Sequence, residues 1–239
     1  MNLKNIIKKT GIHKLRNVLK SKIQAFRLSG RDKEDIFTDI YKHNTWNGKE
    51  SISGEGSDLL ETRVLLDKLP DFLTKYQIKT VIDLPCGDYN WMQHLDYKFN
   101  RYTGIDIVEG IIDRNSNSYN NDNISFVKKD CLADEIGSAD LLLCRDLLIH
   151  FSNNDIKRFF RNITRSEIKY ILTTHFIDEK NTDIATGQWR PVNLMGSPFH
   201  LPEPIDFILE ETKMFNGRYA KIKAMALWRM ADIKLIFSE

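Results

Sequence analysis

Residues 79–91 read KTVIDLPCGDYNW and decide the fold. The mainly apolar residues 81–84 end in small residues around Gly87, a pattern typical of a buried strand followed by a tight loop. Asp88 can cap a helix after this loop, so the stretch predicts a strand, a loop and a helix N-terminus. Glycine lets the backbone approach a ligand, and a helix N-terminus offers N–H groups to polar or anionic atoms. The stretch indicates a nucleotide-binding unit, although Gly87 is the only glycine of a G-x-G-x-x-G fingerprint.

Two aspartates follow predicted strands further along the chain. Residues 102–107 (YTGIDI) form a second strand ending at Asp106, nineteen residues after Gly87. In dinucleotide-binding folds an acid at this spacing lies at the carboxyl end of strand two and accepts hydrogen bonds from ribose hydroxyls. Asp130 follows a third strand at residues 124–127, and we expect it to face the same crevice. A capping or salt-bridging role is the alternative for Asp106.

The rest of the chain continues the alternation of predicted strands and helices. Residues 139–144 (ADLLLC) are almost continuously apolar, as a parallel strand covered on both faces requires. Further strands are predicted at residues 170–174, 205–210 and 224–230, and helices at residues 35–41, after Asp58 until Pro70, from Ile111 and after Ser152. We therefore expect an α/β fold with a seven-stranded, mostly parallel sheet flanked by helices.

Two irregular segments stand out. Residues 45–58 (TWNGKESISGEGSD) contain three glycines and must turn sharply, so they are either a lid over a ligand or a plain connector. Residues 176–205 hold four of the six prolines. This second segment is too irregular for a core and too long for a simple connection, which favours a functional loop.

The charge is unevenly distributed. The chain has 239 residues and a net charge of +2, but residues 1–31 contain nine Lys or Arg and no acid, leaving 26 basic and 33 acidic residues elsewhere. Leu15, Val18, Leu19, Ile23 and Phe26 follow helical spacing, so residues 1–31 predict a basic amphipathic helix that contacts an anionic membrane surface or a protein partner. The alternative is a helix packed on its own domain. Nucleic acid is disfavoured because the rest of the chain is acidic.

Composition excludes several protein classes. No run of about eighteen apolar residues is present, and the N-terminus lacks the apolar centre of a signal peptide, so we expect a cytoplasmic protein, or one peripheral at the inner face of the membrane. Three cysteines without C-x-x-C spacing predict reduced thiols and no metal site. We divide the chain into a basic helical extension, residues 1–45, and one catalytic domain, residues 46–239.

Several longer strings resemble class I S-adenosylmethionine-dependent methyltransferases, and more narrowly a bacterial subgroup associated with glycan and capsule biosynthesis. Pro85 and Tyr89 replace the first and third glycines of the general family's loop. The strings are Trp46-x-Gly48-x-Glu50-Ser51, Gly54-x-Gly56-Ser57, Asp83-x-Pro85-Cys86-Gly87-Asp88-x-Asn90-Trp91, Cys144-Arg145-Asp146-x-Leu148-x-His150, Thr186-Gly187-x-Trp189-Arg190-Pro191-x-Asn193-Leu194 and Leu227-Trp228-Arg229.

The resemblance implies a Rossmann-like fold, S-adenosylmethionine as cofactor and no metal. It implies that Asp106 holds the ribose and that Asp130 and Cys131 lie beside the adenine. The other implied cofactor residues are Asp83, Pro85, Gly87, Asp88, Trp91, Ile107 and Arg145.

Candidate catalytic residues follow the fourth strand, where the methyl group should point. They are Arg145, Asp146 and His150, with His150 as the favoured base because its unperturbed pKa suits proton transfer. A core histidine bonded to backbone is the alternative for His150. Trp189 and Arg190 are expected to bind the acceptor.

The expected acceptor is a sugar hydroxyl of a capsule or O-antigen precursor, or a phosphate-type substituent on one, as the resemblance implies. Small molecules, proteins and RNA are the alternatives. A nicotinamide-dependent oxidoreductase should show more of the glycine fingerprint than Gly87. A non-catalytic module that only binds the cofactor is the remaining hypothesis.

Overall fold

A computed structural model describes residues 16, 18–210 and 222–238. Within these residues, seven strands form one sheet in the order β3-β2-β1-β4-β5-β7-β6. All pairings are parallel except those of β7, which runs antiparallel to β5 and β6. The predicted seven-stranded, mostly parallel sheet is confirmed. The strands are β1 Thr80–Asp83, β2 Arg101–Asp106, β3 Ile124–Lys128, β4 Ser138–Cys144, β5 Glu167–Phe176, β6 Asp206–Glu210 and β7 Lys223–Arg229.

Helices cover both faces of the sheet, and the central strands are correspondingly apolar. Leu141, Leu142 and Leu143 of β4 are at most 2% exposed and contribute to two apolar clusters, one on each face. The helices are α1 at residues 18–28, α2 Lys33–Lys42, α3 Leu59–Lys75, α4 Glu109–Tyr119, α5 Asn153–Ile163 and α6 Met230–Phe237.

Helix α5 begins as its sequence predicts. Ser152 Oγ accepts a hydrogen bond from the Asp155 backbone N–H at 3.1 Å, as an N-cap does. The apolar stripe that includes Phe159 and Phe160 is fully buried. Helix α5 lies in the connection between β4 and β5. Its buried packing anchors the C-terminal end of the preceding segment, which contains Arg145 to His150.

The helix predicted directly after β1 is wrong. Residues 84–91 are turns, followed only by a 3-10 turn at Met92–His94. Tyr89 has φ +60°, which ends any right-handed helix there. The carboxylate of Asp88 does not act as the expected helix cap, because it accepts hydrogen bonds from the segment around residues 51–53.

Pro70 does not interrupt α3. The helix continues to Lys75, although an internal proline costs about 3 kcal/mol through its missing hydrogen bond and its steric clash. Leu69, Phe72 and Leu73 are buried on both sides of Pro70. Their burial, worth about 1.5–3 kcal/mol for each side chain, offsets that cost.

Residues 176–205 contribute to the core, contrary to expectation. Val192, Leu194, Phe199 and Leu201 are at most 3% exposed and belong to the apolar cluster on one face of the sheet. The segment is irregular in backbone because its polar groups bond side chains and other loops. Asn181, for example, donates to the carbonyl oxygen of Asn193 at 2.7 Å.

Helix α2 lies in the region assigned to the N-terminal extension, residues 1–45. Its residues Ile36, Phe37 and Ile40 pack into the same apolar cluster as the sheet. Residues 1–15, which carry Leu15 and part of the basic charge, lie outside the described residues. In the described part of the chain, no helix is long and apolar enough to cross a bilayer.

Candidate active site

A cavity of about 290 Å³ lies at the carboxyl ends of β1, β2 and β4. This is where parallel α/β sheets bind ligands, at the point where the strand order reverses between β1 and β4. Helix α2 and the segment of residues 46–57 line it from the opposite side. Of the two alternatives for this segment, its position beside the cavity favours a ligand cover over a plain connector, and we call residues 46–57 the lid.

Asp106 ends β2 inside the cavity wall. Its carboxylate accepts the backbone N–H groups of Gly87 at 3.2 Å and Val108 at 3.0 Å. Burial raises its pKa to about 6 despite these bonds. Ile107, Asp130 and Cys131 line the same end of the cavity, as a shared crevice requires.

Gly87 and Asp88 join the loop after β1 to the lid. Gly87 has φ +51°, and a Cβ there would clash with Ser53 Oγ. Asp88 accepts from Ser51 Oγ at 2.8 Å and from the Ile52 N–H at 2.9 Å. Pro85, Gly87 and Trp91 line the cavity, but Asp88 is not among the lining residues. Asp88 therefore holds the lid and is poorly placed for the cofactor contact that we expected.

Asp83 is a buried carboxylate at the end of β1. It is 3% exposed, and Tyr102 Oη donates to its Oδ2 at 2.6 Å. Burial raises its pKa to about 7, more than the tyrosine bond lowers it. A cationic ligand beside Asp83 would be favoured when this carboxylate is ionised.

Replacing Asp83 by Asn should alter the pH dependence of stability. Above pH 4 the unfolded chain loses this proton, while the folded protein keeps it until about pH 7. The unfolded state then binds fewer protons, so the wild type loses stability as pH rises from 5 to 7. Relative to wild type, Asp83→Asn should therefore gain roughly 2–3 kcal/mol of unfolding free energy between pH 5 and pH 8.

Urea unfolding at both pH values checks this prediction. Asp140→Asn is the matched control, because burial raises the pKa of Asp140 but the Lys169 bond and backbone donors outweigh it and lower the pKa to about 2. This carboxylate is ionised in both states above pH 5. If the unfolding free energies of Asp83→Asn and Asp140→Asn change equally between pH 5 and pH 8, relative to wild type, the prediction that Asp83 is protonated in the folded protein is wrong.

Arg145 directly follows β4 and is almost fully buried. Its guanidinium bonds Glu210 Oε2 at 2.7 Å and the Gly56 carbonyl oxygen at 2.8 Å, and it lies 5.9 Å from the ring centre of Trp91. Burial would lower its pKa, but Glu210 and Asp146 raise it above the usual value. Arg145 thus ties the lid to the sheet beside the cavity.

Asp146 is held in a left-handed conformation, φ +56°, which is uncommon for non-glycine residues although aspartate adopts it more readily than most. Thr174 Oγ1 accepts its N–H and donates to its Oδ1, and Lys223 Nζ lies 2.8 Å from its Oδ2. Burial alone would raise its pKa, but Lys223 and Arg145 hold it well below the usual value. Asp146 is therefore an ionised carboxylate at the cavity whose two oxygens already have partners.

His150 lines the cavity at the end of a 3-10 turn, Leu148–His150. Its Nδ1 lies 3.0 Å from the carbonyl oxygen of Gln188, and its ring stacks on Trp46 with centres 4.5 Å apart. A carbonyl oxygen only accepts, so Nδ1 carries the proton and Nε2 keeps its lone pair. Nε2 has no hydrogen-bond partner among residues 18–210 and 222–238. Burial lowers the His150 pKa to about 4, so the ring is neutral at pH 7 but is a weaker base than the unperturbed histidine on which the prediction rested.

Trp189 and Arg190 are adjacent in sequence but occupy different environments. Trp189 is 54% exposed and lines the cavity, which places it at the mouth. Arg190 is 3% exposed, and its guanidinium donates to the carbonyl oxygens of Leu148, Phe151 and Thr182. Arg190 does not line the cavity, so its placement does not fit the expected contact with the acceptor. It holds the loop against the turn that carries His150.

Arg190→Lys should lower the unfolding free energy by roughly 2–4 kcal/mol. A lysine cannot reproduce the forked geometry, so buried carbonyl oxygens lose their donors. Arg165→Lys, at an exposed position of the connection after α5, should change stability by less than about 0.5 kcal/mol. Equal unfolding free energies for both variants would contradict this role of Arg190.

Sequence reasoning missed the residues that α2 and the lid bring to the cavity. Lys33, Phe37 and Tyr41 line it from α2, and Trp46 stacks on His150. Their spacing of four residues along α2 was a signal for a buried helix face, but not for a ligand. Lys223, the partner of Asp146, comes from β7 and had no local signal.

Comparisons with known proteins agree with this architecture. The sequence model of a methyltransferase domain family matches residues 81–166. No curated protein sequence matches the chain. A solved S-adenosylmethionine-dependent methyltransferase from Leishmania major is 12% identical with a TM-score of 0.60, covering 83% of this chain and 87% of its own.

Two further solved structures are similar. Human N-acetylserotonin methyltransferase in complex with S-adenosylmethionine is 16% identical with a TM-score of 0.52, covering 82% of this chain and 60% of its own. The N-methyltransferase NodS from Bradyrhizobium japonicum is 13% identical with a TM-score of 0.52, covering 71% and 94%. At these identities the structures establish the fold.

The cavity fits S-adenosylmethionine by its chemistry. Asp106 offers a carboxylate at the end of β2 for ribose hydroxyls, and Asp83 would complement a ligand ammonium group. Ile107 and Cys131 supply apolar wall beside Asp130. The sheet order, the cavity at the strand ends and the comparisons agree: the chain has the Rossmann-like fold of methyltransferases, and its residues 81–166 match the methyltransferase domain family.

Proposed function

We propose that the enzyme methylates a hydroxyl oxygen and that His150 is the general base. One observation carries this proposal: the neutral His150 ring donates through Nδ1 to the Gln188 carbonyl and leaves an unpaired Nε2 in a ring that lines the cavity. A base must carry a lone pair within reach of the acceptor proton. The hydrogen bond from Nδ1 to the backbone carbonyl oxygen of Gln188 fixes the tautomer in which Nε2 carries this lone pair.

The residues that line the cavity would have separate roles in cofactor binding and in proton transfer. S-adenosylmethionine, when bound, supplies an electrophilic methyl group on its sulfonium. Asp106 would hold the ribose, and the wall of Ile107, Asp130 and Cys131 would contact the adenine. His150 Nε2 takes the acceptor's hydroxyl proton while the oxygen bonds the methyl carbon and the carbon–sulfur bond breaks. Most of the rate then comes from holding acceptor and methyl in line.

Asp146 would contact the acceptor without taking its proton. Its carboxylate is 23% exposed and is fixed by Lys223 and Thr174, so it offers an ionised hydrogen-bond acceptor in a set position. Arg145 fixes the position of Asp146 from the other side at 3.3 Å. This arrangement would orient a polyhydroxylated acceptor relative to His150.

The acceptor that we propose is a sugar of a surface-glycan precursor, such as a capsule or O-antigen unit, or its phosphate-type substituent. The resemblance of the strings around Trp46 and Trp189 supports this class. Aromatic side chains at the cavity, including an exposed Trp189 at the mouth, suit the flat apolar face of a sugar ring. Lys33 and Lys129 also line the cavity and would favour an anionic substituent.

Incubation with carbon-13-labelled S-adenosylmethionine and a panel of sugars, nucleotide sugars and sugar phosphates tests the reaction. We expect label in an oxygen-bound methyl group of one panel member, identified by NMR. Transfer to nitrogen or sulfur would contradict the hydroxyl acceptor. Tight cofactor binding without transfer to this panel or to a cell extract would favour the non-catalytic module.

A further inference from the structure

Helix α1 has an exposed apolar side. Val18, Leu19, Ile23 and Phe26 are 48%, 58%, 45% and 82% exposed. At 3.6 residues per turn these four positions fall within an arc of about 140° around the helix axis. Lys22, which is also exposed, falls inside the same arc, so the stripe is apolar apart from this one cation. An exposed stripe of this kind on a surface helix is typical of an interaction face.

The other side of α1 packs against the loop that precedes Trp189. Gln188 Nε2 donates to the Ser21 carbonyl oxygen at 2.9 Å and lies 3.2 Å from Ser21 Oγ. Leu28 packs against the core, and its methyl groups lie 3.4 Å from where a Cβ on Gly187 would be. Ser21 and Leu28 lie on the helix opposite the apolar stripe. The stripe therefore faces outward because the opposite side is occupied.

Positive charge flanks the apolar stripe. Lys20 and Arg27 lie along one edge of it, Lys22 lies within it, and all three are exposed. They belong to the nine Lys or Arg of residues 1–31, a region without acids. Apolar residues beside a one-sign cationic border match the surface of an anionic bilayer, with acyl chains below and negative headgroups above.

The loop that contacts α1 lies next to the cavity mouth. Gln188 contacts α1 through its side chain, and the next residue, Trp189, is half exposed and lines the cavity. Lys33, five residues after Leu28, lines the cavity as well. The stripe lies on the other side of α1 from Gln188, so a surface that binds the stripe would lie one helix diameter, about 10 Å, from the loop that carries Trp189.

We propose that α1 docks on an anionic lipid bilayer and that this docking brings the cavity mouth to the bilayer surface. The apolar stripe inserts at the boundary between headgroups and acyl chains, and the cationic border contacts the headgroups. The docking does not depend on the identity of the acceptor or on the chemistry of His150. An acceptor presented at a membrane would then reach the site without leaving the surface.

Vesicle co-sedimentation of the full-length protein tests the docking. We expect binding to phosphatidylcholine vesicles containing about one third phosphatidylglycerol, and at least ten-fold weaker binding to pure phosphatidylcholine or at high salt. Leu19→Asp should weaken binding to the anionic vesicles at least ten-fold. Leu235→Asp, the same change at a leucine of α6 that is 87% exposed, should leave it unchanged.

Other occupants of the stripe give different results. Absence of binding to anionic vesicles at low salt overturns the proposal, as does equal binding by Leu19→Asp and Leu235→Asp. If residues of the same chain cover the stripe, Leu19→Asp lowers the unfolding temperature and no vesicles are bound. If a second copy covers it, the wild type sediments as a dimer and Leu19→Asp as a monomer, again without vesicle binding.

Tryptophan fluorescence tests the position of the mouth. Vesicles with bromine-substituted lipids should quench the emission of Trp189, measured as the difference between wild type and Trp189→Phe. Trp228, which is fully buried, should not be quenched. Vesicle binding without quenching of Trp189 would overturn the claim that the mouth lies at the bilayer.

Discussion

His150→Ala should lower the single-turnover rate of methyl transfer by roughly 10²–10⁴-fold, the usual contribution of a positioned base. The imidazole ring lines the cavity with Nε2 unpaired, and no other neutral base with a free lone pair is evident among the described lining residues. Asp146 is a poor substitute, because both of its carboxylate oxygens are already paired, with Thr174 and Lys223. Affinity for S-adenosylhomocysteine should change little.

His94→Ala is the matched control for this variant. His94 is the last residue of another 3-10 turn, Met92–His94, and is exposed outside the cavity lining. Its rate should equal that of the wild type. A near-normal rate in His150→Ala, with cofactor affinity intact, would show that His150 is a structural histidine bonded to backbone.

Asp106→Ala should weaken binding of S-adenosylmethionine by roughly 10²-fold. Hydrogen bonds to a charged group contribute about 1.5–3 kcal/mol each, and the variant removes the carboxylate that would accept from the ribose. It also releases the N–H groups of Gly87 and Val108, which loosens the loop after β1. Isothermal calorimetry measures the change.

Asp113→Ala controls for the loss of an aspartate near the end of β2. Asp113 lies on the exposed side of α4, and its removal should not alter the affinity. Circular dichroism should confirm that both variants are folded. Unchanged affinity in folded Asp106→Ala would remove Asp106 from the cofactor site.

Local pattern was sufficient to predict the sheet and the acids at its edge. Apolar runs such as residues 139–144 predict strands, and parallel strands must end at one edge, so Asp83, Asp106 and Asp130 had to lie near one another. That inference needs no knowledge of distant contacts. The strand ends in the sequence therefore predict where the cavity lies.

Contacts between distant residues could not be predicted in this way. The partner of His150 is a carbonyl oxygen 38 residues away, and Asp88 bonds residues 51–53 instead of capping a helix. The sequence predicts that Arg190 binds the acceptor, but its guanidinium donates hydrogen bonds to buried backbone carbonyl oxygens. In each case tertiary contacts decided the role, which local propensity does not encode.

A crystal structure with S-adenosylhomocysteine would locate the cofactor site. We expect the ligand in the cavity at the ends of β1, β2 and β4, with its ribose hydroxyls on the Asp106 carboxylate. We also expect its sulfur to face the side of the cavity formed by Asp146 and His150. A ligand bound elsewhere, or one whose sulfur points away from His150, would contradict this placement.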